Sequence, residues 1–266
     1  MIQPSDIGAR RFAHQAMHTE FEILCVHEDG EYARQAAWAA FDLLDRMEGE
    51  LSRFLPNSDI ARINRLAAGE SARVCRWTLE CLDLARAAYQ ETGGAFDIAL
   101  GTGMESLELS PREFRVRHAG GVKLDLGGIG KGYALDRMAE VLDEWEIATA
   151  LLHGGHSSVL ALDAPPGLAG WPLEMGERTL AARRRALSAS GIRAQGEHII
   201  DPRTGRPPNR RVAAWVSLEL DGSRSPGAVA EALSTAFMIL PHGVMDAIRA
   251  RRVGMEAWTL EATPAI

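Results

Sequence analysis

Between Ala33 and Leu51 the apolar residues Ala36, Ala37, Ala40, Phe41, Leu44 and Met47 return every three or four positions. That spacing lays one face of a helix against a core. Pro56-Asn57-Ser58 ends the stripe, and Ser58 stands where its hydroxyl can cap a short helix carrying Ile60, Ile63 and Leu66. A third helix is predicted from about Trp77 to Gln90, with Leu79, Leu82 and Tyr89 inward and Gly93-Gly94 as its stop. A fourth follows the glycines at 127–132, with Ala134, Leu135, Met138, Val141, Leu142 and Trp145 on one face, and a fifth spans about 228–240. Strand-like runs fall at 21–26, 149–152, 158–162, 198–200 and 212–220. Residues 163–171, with Pro165-Pro166, read as a surface loop. Helices and strands mix without βαβ alternation, which predicts an α+β fold with mixed or antiparallel sheets and packed amphipathic helices. No repeat, low-complexity tract or linker breaks the chain, so residues 1–266 are expected to form one domain.

Charge narrows the partners. The chain has 36 acidic against 29 basic residues, a net charge of −7. That argues against nucleic acid, whose non-specific binding needs a basic face to neutralise phosphates. A phosphorylated small ligand stays open, because a local site can oppose the overall field. No run approaches the ~18 apolar residues of a membrane-spanning helix. The opening residues, Met1 to Asp6, lack a basic segment followed by an apolar run. The sequence as given is therefore expected to be cytoplasmic, or periplasmic if a leader was removed. Cys25, Cys75 and Cys81 match no zinc spacing and read as reduced, mostly buried thiols.

The glycines carry the chemistry. Asp125-Leu126-Gly127-Gly128-Ile129-Gly130-Lys131-Gly132 lies between an extended run and a strong helix. Helix-start amides carry partial positive charge, and missing side chains let a ligand approach. Gly132 follows Lys131 where a P-loop needs Ser or Thr, and the dinucleotide fingerprint's spacing is absent. Asp125 and Lys131 frame the segment and favour a phosphate or nucleotide site over plain helix packing. Thr92 to Asp97 reads equally as a helix stop with a turn aspartate. His198-Ile199-Ile200-Asp201-Pro202 is a short strand entering a turn, where a lone histidine is more often structural. His153-Gly154-Gly155-His156 lacks a third nearby Cys or His for zinc, and Arg183 to Arg185 with Arg210-Arg211 read as solvated faces.

In order along the chain, these segments resemble the ApbE family, the FAD:protein FMN transferases. Met17-His18-Thr19-Glu20-Phe21 is similar to its Met-Gly-Thr-x-Phe. Leu51-Ser52-Arg53-Phe54, then Ser58-Asp59-Ile60 and Asn64, resemble its Leu-Ser-x-Tyr/Phe, Ser-x-Ile and Asn. Thr92 to Asp97 resembles Thr-x-Gly-x-Phe-Asp, and Asp125 to Ala134 resembles Asp-x-Gly-Gly-Ile-Ala-Lys-Gly-Tyr-Ala. His198 to Gly205 and Ala230 to Ala236 are similar to His-Ile-Ile-Asp-Pro-x-Thr-Gly and Ala-Asp-Ala-Leu-Ser-Thr-Ala.

The resemblance implies Mg²⁺-dependent transfer of FMN from FAD to a threonine of a target flavoprotein, with release of AMP. By position, Met17, Phe54, Ala95, Phe96, Asp97, Asp125 and Lys131 would line the FAD site. The carbonyl of Gly128 or Ala228, with the side chains of Glu231 and Thr235, would hold Mg²⁺, and His198 would be the base. Several positions depart from the family pattern: Glu231 for Asp, His18 for Gly, and His153 and His156 flanking the Gly-Gly pair. They mark a divergent member and keep two alternatives open, an FAD hydrolase and a non-catalytic FAD-binding protein.

Overall fold

The computed structural model describes residues 7–176, 178–191, 200–207, 211–222 and 225–261. In chain order the strands and helices begin with β1 (Arg10–Ala16), β2 (Thr19–Cys25), α1 (Gly30–Leu51), α2 (Asp59–Ile63), β3 (Ser71–Arg73) and α3 (Arg76–Glu91). Then come β4 (Glu108–Ser110), β5 (Arg115–Arg117), α4 (Gly130–Glu144), β6 (Ala150–Gly154), β7 (Ser158–Ala161) and β8 (Trp171–Met175). The chain closes with β9 (Arg178–Ala182), β10 (Arg185–Gly191), β11 (Arg211–Glu219), α5 (Pro226–Phe237), α6 (His242–Arg249) and β12 (Glu256–Glu261). Seven strands form one sheet in the order β1-β2-β6-β7-β10-β11-β12, and every neighbouring pair is antiparallel. The α+β reading holds.

Strand alternation splits this sheet between two cores. Phe21, Ile23, Ala150, Leu152 and Leu160 face helices α1, α4 and α5 and pack with Phe41, Leu44, Leu135, Met138 and Phe237. Leu151, Val159, Ala161 and Leu187 face the other way, against the β8–β9 hairpin and its Trp171, Leu173 and Met175. Burial on both faces is why β6 and β7 read as unbroken apolar runs.

The capping signals act as expected. Ser58 Oγ accepts from the Ala61 amide at 3.0 Å, and α3 is capped by Thr92, followed by Gly93 and Gly94 at φ +58° and +79°. Cys25 and Cys81 are buried thiols, and burial raises the Cys25 pKa to about 11.

Other readings change. Gly130 and Gly132 lie inside the first turn of α4 rather than ahead of it. Trp171 is no loop residue: it opens β8, is 1% exposed and donates its indole N–H to the Asp163 carbonyl at 3.0 Å. Two arginines are not solvated. Arg185 donates to Ser217 Oγ at 2.8 Å and to the Gly254 carbonyl at 2.7 Å. Arg211, 9% exposed, donates to the Phe237 and Leu240 carbonyls and so satisfies the open end of α5. The expected strand at 198–200 falls mostly outside the described residues, and the helix at 242–249 has no counterpart among the sequence expectations.

Candidate active site

The site is built where α4 and α5 cross at their amino ends. The crossing is close because glycines make it. A Cβ on Gly132 would land on the Gly227 carbonyl oxygen, and one on Gly227 would lie 2.6 Å from the Gly132 oxygen. Each helix then satisfies the first amides of the other. Asp136 of α4 accepts from the Gly227 and Ala228 amides at 2.8 and 2.9 Å. Glu231 of α5 accepts from the Gly132 amide at 2.7 Å through Oε2, while its Oε1 holds the Lys131 ammonium. Burial pushes the Asp136 pKa up to about 7, with its two amide bonds pulling it back. Two helix amino ends and one lysine thus share a corner with the 3% exposed Glu231.

Around that corner the expected residues assemble unevenly. Thr235 lies one turn beyond Glu231, and its hydroxyl donates back to the Glu231 carbonyl at 3.1 Å and meets Ser190 Oγ at 3.2 Å. Gly128 is bare against both walls: an added Cβ would sit 3.2 Å from the Phe96 ring and 3.5 Å from Thr235 Oγ1. Phe96 is fixed by its amide, which donates to Thr92 Oγ1 at 3.0 Å. Ala95 is buried beside it. The Asp97 carboxylate is spent on its own turn, accepting from the Ala99 and Gly101 amides at 2.7 and 2.8 Å. The Ala228 amide is held by Asp136, as above.

A second cluster forms the outer wall. Asp125 accepts from the Gly127 amide at 2.9 Å and pairs with Arg53 Nε at 3.1 Å. The Arg53 guanidinium lies 4.6 Å over the Phe54 ring, and His18 meets that ring edge-on with centroids 5.4 Å apart. Phe54 remains 65% exposed. Met17 and His18 turn between β1 and β2 at φ +50° and +60°, a left-handed conformation that side chains adopt at a cost of order 1 kcal/mol or more each. The Asp201 turn packs close by, since a Cβ on Gly101 would meet the Pro202 carbonyl oxygen at 2.9 Å. Arg203 locks Asp201 with two bonds, of 2.9 and 2.8 Å. His198 lies outside the described residues.

The sequence reading passed over Arg53, Asp136 and Ser190. Asp136 was legible as a carboxylate within the apolar run of α4. Gly154 was legible as bare backbone but its neighbours were not: a Cβ there would lie 3.2 Å from the Phe21 ring and 3.5 Å from the Lys131 Cβ.

His153 and His156 sit elsewhere. With Thr19, Glu20, Glu22 and Gly155 they line a cavity of about 240 Å³, and alternation puts His153 on the sheet face opposite Gly154 and Lys131. Arg11 pairs with both glutamates there. Among the described residues, three ligand-type side chains come within reach of one another at Glu50, Asp59 and Cys75. There Asp59 Oδ2 already accepts from the Cys75 amide and the Thr78 hydroxyl, which marks a structural cluster.

No helix among the described residues is long and apolar enough to cross a membrane. The chain is 24% identical over 216 residues to the FAD:protein FMN transferase of Klebsiella pneumoniae, covering 66% of this chain and 68% of that protein. Its fold matches solved structures of the flavin transferase ApbE from Vibrio cholerae (TM-score 0.82, 20% identity, 96% of this chain and 95% of that one). It also matches the apo flavinyl transferase ApbE from Pseudomonas stutzeri (TM-score 0.83, 20% identity, 96% and 92%). The ApbE family model matches residues 17–107 and 99–259, and the chain belongs to the ApbE family.

Proposed function

We propose that this protein transfers the FMN half of FAD to a threonine hydroxyl on a target flavoprotein, with Mg²⁺ at the Glu231–Thr235 turn and release of AMP. One observation carries the reading: Lys131 and the amino ends of α4 and α5 converge beside the bare backbone of Gly128 and the Phe96 ring. That corner suits a pyrophosphate, and the name of the Klebsiella relative supplies the dinucleotide. The threonine oxygen attacks the phosphorus on the FMN side, the P–O–P bond breaks, and AMP leaves with the bridging oxygen. His198 is the group we assign to take the hydroxyl proton. Lys131 offsets the charge that builds on the phosphate oxygens.

The donors of the Glu231–Thr235 turn suit a hard cation. Glu231 offers a buried carboxylate, Thr235 a hydroxyl and Gly128 or Ala228 a carbonyl, all oxygens. The carboxylate is paired with the Lys131 ammonium, which a metal ion at Glu231 would have to displace. Bound there, Mg²⁺ would polarise the pyrophosphate as a Lewis acid. The outer wall of Met17, Phe54 and Asp125, with Ala95, Phe96 and Asp97 behind it, is assigned to the flavin nucleotide. We read residues 1–266 as one domain built round this site.

Incubating the whole protein with FAD, Mg²⁺ and a threonine-bearing acceptor flavoprotein should yield AMP and an acceptor heavier by one FMN less water. AMP without an adduct, also formed when acceptor is omitted, would make the protein an FAD hydrolase. FAD bound with no AMP at all would make it a flavin-binding protein without catalysis.

A further inference from the structure

Both oxygens of the Glu231 carboxylate are taken, one by the Lys131 ammonium and one by the Gly132 amide at 2.7 Å. Lys131 is the movable partner. Its ammonium also lies 3.4 Å from the Gly127 carbonyl, and its four-carbon stem lets the charge relocate without moving α4. Formal charge decides which ligands this corner tolerates. The pair itself is neutral, lysine against glutamate. A dication alone adds uncompensated positive charge beside the lysine and must displace the ammonium from a buried carboxylate. A pyrophosphate alone adds uncompensated negative charge beside the glutamate. With both ligands present, Lys131 can turn to the phosphates, the cation can take the carboxylate, and neutrality returns.

We propose that Lys131 is an exchangeable counter-ion which couples the two ligands: it sits on Glu231 before they bind and on the pyrophosphate once both are bound, so cation and dinucleotide bind cooperatively. The coupling rests on the flavin-site reading above. It extends that reading by assigning Lys131 two successive partners, and linkage requires that each ligand tighten the other by the same factor.

Calorimetric titration of the full chain with MgCl₂, with and without saturating FAD, tests it. FAD should tighten Mg²⁺ by about tenfold or more, and Mg²⁺ should tighten FAD equally. Direct contact between Mg²⁺ and phosphate would also give coupling, so Lys131→Met is the deciding variant. If Lys131 is the lock, Mg²⁺ alone binds Lys131→Met about tenfold or more tighter than wild type, and the coupling factor shrinks. Melting curves give a second readout should the variant be less stable. Mg²⁺ alone should then raise the melting temperature of Lys131→Met but not that of wild type, while Lys131→Arg behaves like wild type. Equal affinity of wild type and Lys131→Met for Mg²⁺ alone overturns the proposal. FAD that binds equally well with and without Mg²⁺ overturns the coupling but spares the flavin site. FAD that binds under neither condition overturns both.

Discussion

His153 on β6 lies directly opposite Glu22 on β2, inside the sheet face that carries Arg11 and Glu20. Burial lowers its pKa; Glu22 works in the opposite sense and His156 reinforces the fall. The folded protein thus keeps this imidazole neutral at a pH where the unfolded chain, at about 6.5, already takes a proton. The contribution of His153 to stability is complete above about pH 6.5 and is lost as the pH drops below it. Urea midpoints measured from pH 7.5 down to 5 should fall more steeply for wild type than for His153→Gln. Parallel curves would remove the argument. At the same scale, Arg211 and Trp171 show where local reading fails. A basic pair beside a strand and an aromatic after a proline loop both look exposed, and each is buried because a distant carbonyl needs its donor.

Among the elements, the α4–α5 crossing explains which glycines matter. Gly132→Ala should cost at least about 3 kcal/mol, because the added methyl meets the Gly227 carbonyl and the helices must part. Gly49, in the last turns of α1, has nothing within 4 Å of an added Cβ. Gly49→Ala should therefore stabilise by about 0.5–1 kcal/mol through helix propensity alone. Chemical denaturation of the two variants separates glycine as a contact from glycine as a local accident. Stripes and caps of this kind were readable in advance for α1, α2 and α3, whose periodicity and terminal residues are local. The strands β1, β8, β9, β10 and β12 were not readable. Their sequences, such as Arg-Arg-Phe-Ala-His-Gln-Ala in β1 and Arg-Ala-Leu-Ser-Ala-Ser-Gly in β10, carry mixed polar positions that only sheet neighbours make extended. α6 escaped because eight residues give too few turns for a period to stand out.

For the molecule as a whole, the seven-stranded sheet holds the β6 end against Lys131 and sets Ser190 of β10 against Thr235 of α5. A ligand that binds only this assembled arrangement must stabilise the entire fold. FAD with Mg²⁺ at about one hundred times its dissociation constant should contribute about 2.7 kcal/mol, a rise of roughly 5–10 °C in melting temperature for a chain of this size. Scanning fluorimetry reads this directly, and an unchanged melting point at saturating FAD would contradict the site.

By themselves, the 266 residues determined the α+β class, the amphipathic helices, the caps and the ordered motifs that mark the family, because those depend on neighbours within a few positions. Through the family resemblance they also named Lys131 as an expected FAD residue and Gly128, Glu231 and Thr235 as expected metal ligands. The tertiary structure alone decided what those groups do to one another. Glu231 and Lys131 are one hundred positions apart in the chain, and their pairing exists only because two glycines let two helix ends touch. Sequence spacing records reach along the backbone; charge compensation depends on distance through space, and only the fold sets that distance.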